Sequence, residues 1–212
     1  MKSVHATGPT GFLRRKTICI FLAVACTTLG VMKVYDFLAV TEPTSEGVLV
    51  VEAWIPAATL AEAVHRFDRG NYDCLIVVGG PMPQDARNPK HLRSYSDFAL
   101  DQIVSLGFDP NKLIKIDVVK SGSRTLNMAK AVDTWMSQSG RVGKSLDVFT
   151  VGVHARKSWI TYSSVAGGRY RVGIIAGAES SYNPSNWLLS RRGLWIVSRN
   201  LAGYLYTKLV LT

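Results

Sequence analysis

Leu146-Asp147-Val148-Phe149-Thr150-Val151 runs straight into Gly152-Val153-His154-Ala155-Arg156-Lys157. A short apolar run, then a glycine, then a polar stretch able to wind up, reads as a buried strand handing over to a helix. The same junction occurs twice more. Leu75-Ile76-Val77-Val78 leads into Gly79-Gly80-Pro81, and Leu113-Ile114-Lys115-Ile116-Asp117-Val118 leads into Ser121-Gly122-Ser123-Arg124-Thr125. Val48-Leu49-Val50-Val51 is a continuous apolar run of the kind a strand buried on both faces shows, and Val172-Gly173-Ile174-Ile175-Ala176 is the last. Between the strands lie helical patterns. Ala57–Arg69 places Leu60, Val64 and Phe67 on one stripe and stops at Gly70; Tyr95, Phe98, Ala99, Ile103 and Leu106 mark a second, closed by Gly107. Leu126, Ala129, Val132 and Met136 mark a third, and a fourth runs from about Arg156 to Val165. This alternation predicts an α/β domain: a Rossmann-like, doubly wound, mostly parallel sheet of about five strands, with Val48–Val51 and Leu75–Val78 adjacent and interior. In such a sheet the carboxyl ends of the strands share one edge, and ligands bind in the crevice there.

The 212 residues, 47% of them hydrophobic, are enough for one domain with a real core. No repeat period suggests a solenoid or propeller. Arg14-Arg15-Lys16 precedes an apolar run from Thr17 to Met32. That run is shorter than the roughly 20 residues that comfortably span a bilayer. Lys33 can snorkel, so that Tyr35, Phe37 and Leu38 extend it. The reading is therefore a basic cytoplasmic tail over 1–16, a single-pass membrane anchor over 17–38, a polar linker over 39–46 and an exported domain over 47–212. A cleaved signal peptide is the competing reading, with Ala23-Val24-Ala25-Cys26 as a degenerate lipoprotein site.

Cys19 and Cys26 fall in the apolar run, leaving Cys74 as a small buried hydrophobe, with no disulfide framework and no zinc spacing. The formal net charge of +10 invites nucleic acid as a partner, but there is no zinc finger, helix-turn-helix or aromatic RNA-binding motif. Nucleic acid is set aside in favour of anionic lipid headgroups. The aromatic, basic segment Ser185–Thr212 is expected to be a helix that covers one sheet face through Trp195, Leu201 and Leu205, with a membrane-surface helix as the alternative.

Three polar clusters fall on the carboxyl edge. Gly79-Gly80-Pro81 has neither G-x-G-x-x-G nor G-K-[ST]; it is a close backbone approach to an anion or an ordinary turn. Ser123-Arg124-Thr125-Leu126-Asn127 opens a helix, where free N–H groups and the dipole favour an anion, although capping alone explains the serine and threonine. In His154-Ala155-Arg156-Lys157-Ser158 the imidazole suits general acid or base work, Arg156 suits a phosphate or carboxylate clamp, and Lys157 is a point charge or faces solvent. Glu52 follows its strand directly onto the same edge, with Trp54 and Pro56 shaping the turn. Glu52, Asp85 and His154 are too few and too dispersed for a metal site, and no G-x-S-x-G elbow marks a serine hydrolase.

In that order, Val51-Glu52-Ala53-Trp54-Ile55-Pro56, V-V-G-G-P, S-R-T-x-x-N-A-like and G-x-H-A-R-[RK]-S, the motifs resemble those of the YdcF-like (SanA/ElyC/YdcF) family of bacterial envelope proteins, over about Gly47 to Leu209. The resemblance implies a Rossmann-like domain behind an anchor in the bacterial inner membrane, on its periplasmic side. It also implies a role in envelope biogenesis, peptidoglycan or lipid-carrier metabolism, with a phosphorylated or nucleotide-like small molecule as ligand and no cofactor assigned. Carried over residue by residue, it marks Glu52, Gly79, Gly80, Arg124, Thr125, Asn127, His154 and Arg156 as ligand-contacting, with His154 the proton-transfer candidate. The chain departs from the family pattern at Ala53 (usually glycine), Lys157 (commonly arginine) and Asn200 (often glutamate). Two readings follow: an enzyme acting on a phosphorylated envelope precursor, or a binding or scaffolding module with the same cleft and no turnover.

Overall fold

The structure, a computed structural model, describes residues 30–31, 33–84, 92–119, 121–141 and 143–211. The chain divides into two units, Met1–Tyr35 and Asp36–Thr212. Of the first, the described residues are helical. The basic tail, the expected anchor up to residue 29, both of its cysteines and Asp85 lie outside the described residues.

In the second unit β1 (Glu46–Glu52), β2 (Asn71–Gly79), β3 (Leu113–Asp117), β4 (Leu146–Val151) and β5 (Val172–Gly177) form one sheet in the order β3-β2-β1-β4-β5, every pairing parallel. Val48–Val51 and Leu75–Val78 are adjacent and interior, as their unbroken apolar character requires. Helices α1 (Ala57–Arg69) and α2 (Tyr95–Ser105) cover one face, burying Leu60, Phe67, Ala99 and Ile103 against Leu49, Val51, Leu75, Val77 and Phe149. Helices α3 (Arg124–Gln138) and α4 (Ala155–Ala166) cover the other, burying Met128, Val132, Met136 and Tyr162 against Val48, Val50, Ile76, Val78 and Ile174. Alternate residues of each strand thus serve opposite cores. Connections from β1 and β2 go to one face and those from β3 and β4 to the other. The chain therefore changes direction between β1 and β4, where a crevice opens at the carboxyl ends.

The segment before β1 differs from its expected role as anchor end and free linker. Leu38 and Val40 are buried in the domain, and Phe37 packs edge-on against Tyr204 with ring centroids 5.3 Å apart. Glu42 bridges to Ile174 as a short antiparallel contact. Asp147, fully buried in β4, accepts hydrogen bonds from the Thr44 N–H and hydroxyl and the Ser45 N–H (each 2.8 Å) and from the Tyr72 hydroxyl (2.6 Å). Burial and that carboxylate together push the Tyr72 phenol far above its ordinary value. At the sheet edge Lys115 bonds Asp97 at 2.6 Å and Asp117 at 2.9 Å, tying β3 to α2, and its ammonium holds the Asp97 carboxyl below the usual range. Cys74 is the small buried hydrophobe expected, its thiol pushed up by burial.

The C-terminal helix α5 (Arg191–Leu211) does not cover the sheet through Trp195 and Leu205; both are exposed. Its buried residues are Gly193, Val197, Tyr204 and Thr207, and it packs on α4 and on the 3-10 segment Pro184–Leu189. The sheet face was already filled by α3 and α4, so α5 forms an outer layer.

Candidate functional site

Strand β1 delivers Glu52 to the point where the winding reverses. Its side chain is wholly buried, and it accepts hydrogen bonds from the Thr150 hydroxyl on β4 (2.7 Å) and the Ser158 hydroxyl on α4 (2.9 Å). A buried carboxyl requires such partners, since an unsatisfied one costs the full desolvation penalty. These two bonds stitch β1, β4 and α4 together under the crevice.

After β4 the chain makes a single 3-10 turn, Gly152–His154, entered at φ 45° by Gly152, a backbone geometry that favours glycine. That turn aims His154 at Glu52, with Nε2 3.6 Å from the carboxyl and the imidazole only 14% exposed. On the other side of the ring Nδ1 lies 2.8 Å from Asn200 Oδ1. Asn200 Nδ2 donates to the Ile196 carbonyl at 2.8 Å, which fixes the amide with its oxygen toward the ring. The network therefore assigns the proton to Nδ1 and leaves Nε2 as the acceptor, 3.4 Å from the Thr125 hydroxyl. Trp54 meets the imidazole edge-on, centroids 4.9 Å apart. Burial lowers the His154 pKa; Glu52 pulls it up and Lys157 pushes it down, and the net shift is downward. Burial thus works against the charged form of His154, while its Nε2 faces the Thr125 hydroxyl and the Glu52 carboxyl.

Beside it lies a cavity of about 430 Å³, of the size that holds a small organic ligand. Its walls include Arg124, Lys157, Arg192 and Arg199, against the single carboxylate Glu179. Ser123 caps α3, its hydroxyl accepting from the Leu126 N–H, and so brings the first turn of that helix, with Arg124 and Thr125, onto the cavity. Lys157 has its pKa lowered by burial, and the Arg124 and Arg199 charges push the same way against Glu52. Cations crowded closely enough to disfavour one another's charge make a site that an anion relieves. A second cavity of about 280 Å³ shares Trp54, Arg124 and Met128 with the first and is otherwise mostly apolar, walled by Pro81, Met82, Pro83, Tyr95 and Val118. Among the described residues, no group of three His, Cys, Asp or Glu side chains is placed to hold a metal ion.

Of the residues expected from sequence, Glu52, Arg124, Thr125 and His154 come together here. Gly80 lines the smaller cavity. Gly79 lines neither: a Cβ there would sit 2.8 Å from the Ser96 backbone nitrogen, so its smallness serves the approach of α2 to β2. Asn127 turns its amide back to the Ser121 carbonyl, bracing the loop before α3. Arg156 is outside both cavities. It donates to the Phe37 carbonyl and lies over the Phe37 ring, 4.3 Å from its centroid. Successive helical residues point about 100° apart, so a helix that turns Arg156 toward Phe37 turns Lys157 into the cavity.

Sequence reasoning missed the rest of the constellation. Asn200 stood out as a departure from a family pattern, not as the partner of His154. Arg192 and Arg199 counted only toward overall charge, and Thr150 was one more residue of an apolar strand. Ser158 closed the H-A-R-K-S motif without a role. No local pattern signals these contacts, because each bridges separate elements. No protein-family model matches the chain, and no curated protein matches it.

Proposed function

We propose that the crevice between β1 and β4 binds a phosphorylated small molecule, its anionic group among Arg124, Lys157, Arg192 and Arg199 and its organic part in the adjoining apolar cavity, and that His154 takes a proton from the attacking group. The observation that carries this reading is a histidine oriented through Nδ1 by Asn200 and set, with its Nε2 side, at the wall of a cavity ringed by cations. The Thr125 hydroxyl, at a helix N-terminus, adds a hydrogen-bond group beside that nitrogen. A water or hydroxyl attacking a phosphoryl group would form the new P–O bond as the bond to the leaving oxygen breaks, giving its proton to Nε2, which would return it to the departing oxygen, while the cations balance the charge on the phosphoryl oxygens. The resemblance to YdcF-like envelope proteins supports a phosphorylated cell-wall or lipid-carrier precursor as the natural ligand and a place at the periplasmic face of the inner membrane.

Binding without turnover is the second reading. It is favoured by the small exposure of the imidazole and by the Thr125 and Glu52 oxygens that already flank Nε2. One screen separates the two. The full chain is assayed on phosphomonoesters and pyrophosphates, with and without divalent metal, beside ligand-induced thermal shifts. Turnover lost in His154→Ala with binding largely kept supports catalysis. Thermal shifts without turnover for any compound support the binding module. Neither shift nor turnover across the panel would sink both.

A further inference from the structure

Helix α5 has one face that none of the described elements covers. Trp195, Ala202, Tyr206 and Leu209 recur at helical spacing along it, with Leu205 and Val210 alongside. Trp195 is 66% exposed, Tyr206 68% and Leu209 86%, and Leu189, just ahead of the helix, is also exposed. Trp195 stands near the start of this face and Leu205, Tyr206, Leu209 and Val210 cluster near its end, with Ser198, Arg199 and Ala202 exposed between them; so many large apolar and aromatic side chains in water on one side of a helix mark an interaction site. The opposite face, Gly193, Val197, Tyr204 and Thr207, is buried against the domain, so the exposed row is not a core awaiting closure.

We propose that this face of α5 lies on an anionic lipid bilayer, with Trp195 and Tyr206 seated at the headgroup level and Leu205, Leu209 and Val210 reaching the acyl boundary. Charge selects this partner. Over its whole length α5 carries Arg191, Arg192, Arg199 and Lys208 and no carboxylate, in a chain of net charge +10. A second copy meeting the same face would bring two such cationic helices together without an acidic counterpart, whereas anionic headgroups complement them. An apolar, tryptophan-bearing face flanked by arginine is the pattern of a helix lying in the interface plane. Among the described residues no helix is long and apolar enough to cross a membrane, so α5 rests on the bilayer and does not span it. The same helix walls the larger cavity through Arg192, Ile196 and Arg199, so docking brings that cavity close to the lipid surface whatever it binds.

Tryptophan fluorescence tests this on the full chain. Of the five tryptophans, Trp187 is buried and Trp54, Trp135 and Trp159 are half-buried; no tryptophan precedes Trp54, so the N-terminal segment is silent. The protein is combined with phosphatidylcholine vesicles carrying acyl-brominated lipid, with and without phosphatidylglycerol. The expected result is quenching that grows with phosphatidylglycerol, falls with added salt, and loses that salt-sensitive component in Trp195→Phe. Leu209→Glu, at an exposed position, should diminish the same component while thermal unfolding stays unchanged. Equal quenching of wild type and Trp195→Phe, or none with either lipid, overturns the proposal. A cross-linked dimer whose Trp195 is shielded from the quencher overturns it in favour of self-association.

Discussion

Arg156 and Lys157 are neighbours with opposite assignments, and exchanging their fates would undo the site. Lys157 is half-buried on the cavity wall beside Arg124 and Arg199, so a phosphoryl group bound as proposed would meet its ammonium directly. Truncation to alanine removes one charge-assisted contact, worth about 1.5–3 kcal/mol. That corresponds to a loss of affinity of roughly one to two orders of magnitude. Arg156 touches neither cavity; its guanidinium is spent on the Phe37 carbonyl and ring. Arg156→Ala should therefore leave affinity within about twofold and instead lower stability by about 1–3 kcal/mol, from one hydrogen bond and two cation–π contacts, with Phe37 and Trp159. Calorimetric titration with phenyl phosphate at physiological salt reads the affinities, and urea unfolding reads the stabilities. A folded Arg156→Ala that binds tenfold more weakly, beside a Lys157→Ala that binds normally, would refute this orientation of α4.

Thr150→Val removes a hydroxyl donor from the buried Glu52 carboxyl while keeping its shape, and should cost about 1–3 kcal/mol in urea unfolding. Asp147→Ala leaves the Thr44 and Ser45 amides and the Tyr72 hydroxyl without their acceptor, and should cost about 3 kcal/mol or more by the same assay, with ligand binding spared because this carboxylate is not among the cavity's lining residues. His154 has its folded pKa below the unfolded value of about 6.5, so on acidification the unfolded chain takes up the proton first. Its stability contribution is whole above about pH 6.5 and is lost as pH falls from there through the folded pKa. His154→Gln should flatten that part of the stability profile measured by urea unfolding at successive pH values.

The fold was largely legible because its signals are local. Unbroken apolar runs such as Val48–Val51 require burial on both faces, and helical stripes such as Leu60 and Phe67 require a sheet to pack on. The carboxyl-edge rule then placed Glu52, Arg124, Thr125 and His154 on one edge, where they do lie near one another, without any side-chain geometry. What a linear pattern does not encode is which way a helical residue turns and what lies across from it. Arg156 and Lys157 differ only by one step of rotation. Asn200, Arg192 and Arg199 reach the cavity from a helix over 30 residues downstream of the motifs, and Trp195 faces water because α3 and α4 had already filled the sheet face it was expected to cover. Leu38 looked like the end of an apolar run and is a core residue instead, since hydrophobicity alone does not say which apolar phase a side chain enters.

The most direct test of the central claim is a crystal structure of the protein grown with phenyl phosphate. Phosphoryl density is expected in the larger cavity, within hydrogen-bond reach of Arg124, Thr125 and Lys157 and facing His154 Nε2, with the phenyl ring toward Trp54 and Met128. Density for the compound lodged elsewhere, with that cavity holding only solvent at saturating ligand, would contradict it.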